Sequence, residues 1–348
     1  MCFCTFVVNI EFTPKPLINM KMNDYISAFT DHLRDALEIG KASELKAYDG
    51  QIDNVLICGL GGSGIGGTIL NDLVADKVNV PVNGSKDYSI PNYVGKNTLV
   101  IASSYSGNTE ETLFALKSCQ EKGAHIACIS SGGALEKMAK ENGYNLITIP
   151  GGHPPRAMFG YSFTQLFFMF NHYNLIDDSF LLDFNKSLDL LDREKEGIQS
   201  EAKSLAKKMF GTTPVIYTAA GFEGVGVRFR QQINENSKML CWHHVVPEMN
   251  HNELLGWRIN TEKLSVVYFR NKSDYSRNQV RIDINKDVIS KFTNNITEIW
   301  SKGDSKIENT LYHINLGDWV SWYLSEMNDV DAIEIDVINY LKGALAKV

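Results

Sequence analysis

Short apolar runs alternate with segments of helical periodicity along the first half of the chain. Apolar runs of about four to eight residues are typical of buried parallel strands, and helical segments between them are typical of crossover connections. This alternation predicts an α/β fold built on a doubly wound parallel sheet. The predicted strands cover residues 55–58, 78–82, 99–102, 125–129 and 146–149, and the predicted helices cover residues 25–45, 68–74, 113–122 and 135–142.

The same order of strand, glycine turn and helix starts again at residue 214, after a long helical stretch. We therefore predict two doubly wound parallel-sheet domains in tandem, joined by helices. Their expected bounds are an extension over residues 1–22, a first domain over 23–152, a helical linker over 153–210 and a second domain over 211–348. Beyond residue 152 the predicted helices cover 163–173, 183–209, 227–239, 278–292 and 330–346, and the predicted strands cover 214–218 and 264–269.

Composition narrows the class of protein. The 348 residues are 44% hydrophobic and 22% charged, which is typical of a globular protein with a sizeable core. The net charge of −7 argues against nucleic acid or an anionic membrane as the main partner, and no apolar run reaches the roughly 18 residues that span a membrane. Six cysteines are too few for a disulfide framework. Residues 1–8 lack the basic region and cleavage site of a signal peptide, so we expect a cytoplasmic, reduced and metal-free protein whose folded part begins near Met20 or Met22.

Residues 104–112, which we call the hydroxyl loop, lie where a predicted strand ends and a predicted helix begins. Ser104, Ser106 and Thr109 place three hydroxyl groups at this junction. Free backbone N–H groups and the positive end of a helix dipole make such a junction suitable for a phosphate. The loop contains no lysine or arginine. A phosphate would therefore be held there by neutral donors.

The glycine-rich segment 59–67 contains a dinucleotide-binding pattern, follows a predicted strand and opens a helix. That pattern also requires an acidic residue at the end of the next strand, where it binds the ribose. Here the next predicted strand runs into Asn83, and Asp87 comes several residues too late. We therefore favour a tight turn that lines a sugar-phosphate pocket, with the Ser63 hydroxyl facing the ligand. A nicotinamide-dependent dehydrogenase stays an alternative.

Segments 61–64 (Gly-Gly-Ser-Gly) and 104–109 (Ser-Tyr-Ser-Gly-Asn-Thr) together resemble the sugar isomerase (SIS) domain, a phosphosugar-binding α/β module. Three further motifs, at 155–157 (Pro-Arg-Ala), 234–236 (Asn-Glu-Asn) and 247–252 (Pro-Glu-Met-Asn-His-Asn), resemble the bifunctional phosphoglucose/phosphomannose isomerase family. The resemblance runs from about residue 22 to the end of the chain. It implies two SIS domains in tandem and a homodimer without cofactor or metal. It also implies interconversion of a hexose 6-phosphate, glucose 6-phosphate or mannose 6-phosphate, with fructose 6-phosphate through an enediol.

This chemistry requires a base that moves a proton between two carbons, a task that suits a carboxylate. Glu235, on the helix predicted over 227–239, matches the family's base. Opening the sugar ring requires proton transfer near neutral pH, which suits a histidine, and His251 matches the family's residue for that step. The competing histidines are His153, His243 and His244. The resemblance implies that His251 reaches the site from the partner subunit.

A positioned cation stabilises the negative charge of an enediolate. Arg156 matches the family's arginine in that role, and Lys342 matches the family's closing lysine better than Lys347 does. The resemblance also carries over a set of phosphate ligands and pocket backbone groups. The phosphate ligands are Ser63, Ser104, Ser106 and Thr109, and the backbone groups are those of Gly62 and Gly64.

One departure from the family concerns the sugar. The dual-specificity members have a threonine shortly before the closing lysine, whereas this chain has no threonine from Leu311 to its end and has Ile333 and Ile335 in that region. Activity on glucose 6-phosphate is expected, and activity on mannose 6-phosphate is left open. A non-catalytic phosphosugar sensor that uses the same loops is the second alternative.

Overall fold

The computed structural model describes residues 20–259 and 263–347. The extension expected over residues 1–22 therefore lies outside the described part, except for its last three residues. Met22 is the first residue of helix α1 (Met22–Ser27) and is buried in the main hydrophobic core. The described chain is thus packed from that residue on.

The first sheet contains the strands β1 (Asn54–Cys58), β2 (Val82–Ser85), β3 (Thr98–Ser104), β4 (His125–Ser130) and β5 (Asn145–Thr148). They are parallel and lie in the order β2-β1-β3-β4-β5. Every residue of the central strand β3 is buried, as its apolar run predicts. The strand order reverses between β1 and β3, so their carboxyl ends open a crevice of the kind that binds ligands in such sheets.

The second sheet contains β6 (Thr213–Ala219), β7 (Trp242–Val246), β8 (Leu264–Arg270) and β9 (Ile296–Trp300), parallel and in the order β7-β6-β8-β9. The described helices after α1 follow in chain order. They are α2 (Phe29–Ala42), α3 (Gly61–Val74), α4 (Glu110–Glu121), α5 (Gly133–Asn142), α6 (Phe159–His172), α7 (Ser179–Met209), α8 (Glu223–Ser237), α9 (Glu253–Gly256), α10 (Ser276–Ile289), α11 (Lys306–Met327) and α12 (Asp336–Leu345). Short 3₁₀ helices cover Pro155–Met158, Glu248–His251 and Trp257–Ile259.

Helices α3 and α8 pack directly against each other and so connect the two sheets. The contact is close because a glycine lies at the crossing: a Cβ atom on Gly224 would lie 2.7 Å from a side-chain carbon of Ile69. The Gly224 N–H also donates to Asp72 Oδ2 at 2.9 Å. Because Gly224 is the second residue of α8, this contact fixes the start of that helix against α3. No helix in the described part of the chain combines the length and the apolar character needed to cross a membrane.

The strand predicted over 78–82 is wrong, because β2 begins at Val82. Pro81 has no N–H to donate to a neighbouring strand, so pairing starts after it, while its carbonyl still accepts from Val55 N–H at 2.8 Å. Val78 and Val80 instead pack as partly buried residues against the core. The edge strands β7 and β9 were not predicted from the sequence. Both are only partly buried and therefore lack a continuous apolar run.

Helix α11 was also not predicted, although it lies at the centre of the molecule and contacts both α7 and α8. Almost every residue from Ile307 to Ser321 is buried, including the polar side chains. A helix surrounded on all sides has no amphipathic period to detect. The closing helix is shorter than the predicted 330–346, because residues 330–335 form a loop before α12.

The glycine-rich segment is mostly helix, since α3 begins at Gly61 and not near residue 68 as predicted. A Cβ atom on Gly64 would lie 2.2 Å from the carbonyl oxygen of Gly59. Glycine at position 64 therefore allows the start of α3 to lie directly against the end of β1, beside the crevice.

We expect Gly64→Ala to lower the free energy of unfolding by about 1–3 kcal/mol, because the added methyl group meets backbone atoms that cannot rotate away. Urea unfolding followed by circular dichroism measures the change. Gly95→Ala is the matched control, since a Cβ atom at Gly95 meets nothing within 4 Å, and it should change the free energy by less than about 0.5 kcal/mol. Equal stability of the two variants would contradict the close approach at Gly64.

Candidate active site

A cavity of about 320 Å³ lies at the crevice of the first sheet. Its walls come from the start of α3, the hydroxyl loop, the 3₁₀ helix Pro155–Met158, the end of α8 and helix α12. Predicted site residues from both halves of the chain meet there. They are Gly62, Ser63, Ser106, Thr109, Arg156, Glu235 and Lys342.

Three predicted residues do not line this cavity. Ser104 is buried behind it, with its Oγ 2.9 Å from Thr109 Oγ1, so it orients the threonine hydroxyl. Gly64 packs against Gly59, and its N–H already donates to the carbonyl of Leu60 at 3.0 Å. His251 lies at the end of the 3₁₀ helix that follows β7, where it is exposed.

The hydroxyl loop is held in one conformation by bonds to its neighbours. The Tyr105 N–H donates to Ser63 Oγ at 3.0 Å, which ties the loop to the start of α3. Ser130 Oγ donates to the carbonyl of Ser104 at 2.8 Å, and Leu135 N–H donates to the carbonyl of Gly107 at 2.9 Å. The loop therefore keeps its place without a ligand.

Thr109 is the residue before α4, so the last three residues of the hydroxyl loop, 110–112, already belong to the first turn of that helix. The first N–H groups of a helix have no partner within the helix, and they carry the positive end of its dipole. Ser106 and Thr109 add hydroxyl groups to this end of the cavity. Glu111, in the first turn of α4, also lines the cavity. The wall at the start of α4 thus contains neutral hydroxyl donors and one carboxylate.

Arg156 also lines the cavity and is almost completely buried, with 3% of its surface exposed. Its Nε donates to Asn236 Oδ1 at 2.7 Å, and its Nη2 donates to the carbonyls of Ala332 and Ile333. The remaining nitrogen, Nη1, lies 3.4 Å from Glu235 Oε2. Burial lowers the pKa of Arg156, and the carboxylate of Glu235 opposes that shift. An arginine remains protonated under these conditions, so a fixed positive charge stands beside a carboxylate.

Glu235 lies in the last turn of α8, and 28% of its side chain is exposed. The sequence prediction that it lies on a helix is confirmed. Lys238 ends that helix in the left-handed conformation, with φ of 57°. Its Nζ donates to the carbonyls of Glu235 at 2.6 Å and of Glu334 at 2.8 Å. Lys238 therefore ties the end of α8 to the segment before α12, and nothing in the sequence pattern indicated this role.

Lys342 lies on the exposed helix α12 and lines the cavity together with Ile335 and Ile338. Its competitor Lys347 follows α12 and does not line the cavity. The competing histidines do not line the cavity either, and each contacts a residue outside it. His153 Nδ1 lies 3.2 Å from the hydroxyl of Tyr25. His243 Nε2 lies 3.8 Å from Glu223 Oε1, and His244 Nδ1 accepts from the N–H of Val245 at 2.7 Å.

The arrangement combines an anion-binding end, a carboxylate and a fixed guanidinium in one cavity. Neutral donors at a helix N-terminus can hold a phosphate, and a carboxylate next to a cation can transfer protons while the cation stabilises negative charge on oxygen. One cavity therefore holds groups that can bind a phosphate together with a carboxylate and a cation that can act on the rest of the same molecule.

Comparison with known proteins identifies the family of the chain. Residues 51–173 match the family model described as the SIS domain, and residues 198–345 match that of the bacterial phospho-glucose isomerase C-terminal SIS domain. The chain is 40% identical over 328 residues to a bifunctional phosphoglucose/phosphomannose isomerase of Caldicellulosiruptor bescii, covering 91% of this chain and 97% of that protein. A protein of the same name from Aquifex aeolicus is 32% identical over 309 residues, covering 88% and 93%.

The fold also resembles those of solved structures. The C-terminal domain of glucosamine-fructose-6-phosphate aminotransferase from Francisella tularensis superimposes with a TM-score of 0.73 at 12% identity, covering 93% of this chain and all of that chain. A likeness at this identity shows the fold alone, whereas the sequence matches over nine-tenths of the chain show the family. With two SIS domains in tandem, this chain belongs to the bifunctional phosphoglucose/phosphomannose isomerase family.

Proposed function

We propose that this protein is an aldose–ketose isomerase that interconverts glucose 6-phosphate and fructose 6-phosphate through an enediol, without a metal ion or cofactor. The observation that carries the proposal is the meeting of Glu235, Arg156 and the hydroxyl loop in one cavity. Several relatives are named for exchange of both glucose and mannose phosphates. We also propose that this activity takes place in the cytoplasm.

The substrate phosphate would bind to the neutral donors of the hydroxyl loop and the start of α3. Ser63, Ser106 and Thr109 line the cavity and would contact it, and Ser104 would orient the Thr109 hydroxyl. The backbone of Gly62 would form part of the same wall. With the phosphate at that end, C1 and C2 of the open-chain sugar extend toward Glu235 and Arg156. In this proposal the hydroxyl loop binds the phosphate, while Glu235 and Arg156 act on the reacting carbons.

In the proposed reaction Glu235 removes the proton from C2 of the aldose and returns a proton to C1 of the enediol. Nη1 of Arg156 faces the carboxylate, so it would also face the enediolate oxygens that develop beside it. Lys342 adds a second cation to the wall of the cavity. These assignments rest on position: each group lines the cavity and lies opposite the loop.

Ring opening is the step that the single chain does not explain, because His251 is exposed and does not line the cavity. We propose that the protein works as a homodimer in which His251 of one subunit completes the site of the other. The exposed apolar residues near this segment, Leu240, Leu255 and Ile259, support an interface there, since exposed apolar clusters are typical of interaction surfaces.

The configuration at C2 is decided by the face on which the planar enediol is protonated. The phosphate end does not contact C2, so preference between glucose and mannose depends on the wall near Glu235. In this chain Ile335 and Ile338 line that wall. Parallel coupled assays of glucose 6-phosphate and mannose 6-phosphate, each with fructose 6-phosphate as the second partner, measure the preference.

Glu235→Gln should lower kcat by about 10²–10⁴-fold, because the amide cannot accept the proton, and should change KM by less than about threefold. A coupled assay measures both constants, and deuterium uptake from heavy water at C2 reports the proton transfer itself. Glu223→Gln is the control, since Glu223 lies in the first turn of the same helix with 54% of its side chain exposed. If Glu235→Gln turns over normally, the assignment fails. If the wild type binds the sugar phosphate without turnover, the protein is a sensor.

Thr109→Val should raise KM about tenfold and weaken inhibition by inorganic phosphate in parallel, because it removes a hydroxyl donor to a charged group. Thr112→Val is a matched control three residues along the chain. Its hydroxyl is buried and has no hydrogen-bond partner among the described residues, so its loss should leave both constants unchanged. Similar effects of the two substitutions would contradict the phosphate site.

Mixing two inactive variants tests the shared site. Consider a heterodimer of one Glu235→Gln chain and one His251→Ala chain. The His251→Ala chain keeps Glu235 and receives His251 from its partner, so one of the two sites is complete. Random re-association of equal amounts should therefore recover about a quarter of wild-type activity, given a closed two-fold dimer. Elution volume in size-exclusion chromatography checks the dimer. If His251 acts within its own chain, the mixture stays inactive.

A further inference from the structure

One face of α8 carries polar side chains where a buried helix face normally carries apolar ones. Arg228, Gln232 and Asn236 recur at every fourth residue, and each is at most 2% exposed. They lie against α11, whose Asp318 and Ser321 are also buried. Buried polar groups cost stability unless they are bonded, so a polar interface of this kind needs a reason in the function of the molecule.

The two ends of Arg156 are both held by this interface. Arg228 Nη2 donates to the backbone carbonyl of Arg156 at 3.3 Å and to Asp318 Oδ2 at 2.7 Å. Gln232 Nε2 donates to the other carboxylate oxygen of Asp318 at 2.9 Å. Asn236 Oδ1 accepts from Arg156 Nε at 2.7 Å. The interface therefore fixes both the backbone and the guanidinium of Arg156.

The direction of the bonds fixes the orientation of the Asn236 amide. Ser321 Oγ donates its proton to the carbonyl of Asp318 at 2.7 Å, so toward Asn236 it can only accept. It accepts from Asn236 Nδ2 at 2.9 Å. The amide oxygen must then face Arg156 Nε, which needs an acceptor. A flipped amide would set two donors against each other at Arg156.

We propose that Asn236 and Ser321 are positioning residues that aim Nη1 of Arg156 at the reacting carbons. The bonds run from Arg156 through Asn236 and Ser321 to the backbone of α11, with each donor and acceptor defined. Nε is bound by Asn236 and Nη2 by backbone carbonyls, so Nη1 is the nitrogen left to face Glu235 and the cavity. The role rests on the proposed isomerase reaction, and neither residue itself contacts substrate.

Ser321→Ala tests the role, because it removes the acceptor that orients the amide and leaves Arg156 in place. We expect kcat to fall about tenfold with KM changed less than twofold, since small misplacements of a charge-stabilising group mainly affect the transition state. A hydroxamate of a five-carbon sugar-acid phosphate, which mimics the enediolate, should bind about tenfold more weakly for the same reason.

Ser325→Ala is the matched control. Ser325 lies one turn further along α11, is fully buried and donates to the carbonyl of Trp322 at 2.7 Å, as Ser321 does to that of Asp318. It lacks the contact with Asn236, so its loss should leave kcat and inhibitor affinity unchanged. If Ser321 had a purely structural role, Ser321→Ala and Ser325→Ala would both shift the unfolding midpoint, and neither would change kcat.

Asn236→Leu provides a second variant, with no acceptor for Arg156, and should lower kcat by about 10²-fold. Adding Ser321→Ala to it should cause no further loss, because the two residues act in series. Additive losses, or a Ser321→Ala enzyme that matches Ser325→Ala in kcat, would overturn the positioning role. Absence of isomerisation by the wild-type protein would instead overturn the proposed function.

Discussion

The buried guanidinium of Arg156 is the interaction on which the candidate site depends. An uncompensated charge in a protein interior is strongly unfavourable, so this cation requires acceptors around it. It finds them on two other segments: Glu235 and Asn236 at the end of α8, and the carbonyls of Ala332 and Ile333 before α12. Three segments far apart in the sequence are thereby held at one point. The cavity is the space that they enclose with the hydroxyl loop.

The second sheet and its helices contribute to the candidate site mainly by positioning α8. Helix α11 packs against both α7 and α8, and its Asp318 and Ser321 bond to the polar face of α8. On its other side α8 meets α3 at the glycine contact between Gly224 and Ile69. Helix α8 is thus held by α3 at its start and by α11 along its polar face before any ligand arrives, as a site that relies on preorganised charge requires.

The sequence predicted the elements whose signal is local. The apolar run of β3 and the hydroxyls after it predicted a buried strand and a donor-rich junction, and both lie where expected. Glu235 was predicted to lie on a helix, and it does. The sequence predictions fail for elements whose structure depends on tertiary contacts. Helix α11 has no amphipathic face because it is surrounded, and β7 and β9 are edge strands with mixed sequences. The hydrogen bond from Lys238 to Glu334 and that from Asn236 to Ser321 join residues 96 and 85 positions apart, so no local pattern could indicate them.

In the proposed site, different residues bind the phosphate and act on the reacting carbons. The phosphate-binding residues therefore do not determine which sugar is preferred. The hydroxyl loop and the start of α3 present neutral donors to any phosphorylated ligand of the right length, whatever its configuration at C2. Ile335 and Ile338 line the cavity together with Glu235. Ile335 ends the loop whose carbonyls bind Arg156, and Ile338 follows in α12. The cation proposed to stabilise the enediolate therefore also positions the wall that meets its carbons. A change in the packing of that segment would alter the position of the charge and the shape of the cavity together, so the proposed reaction ties sugar preference to catalytic rate.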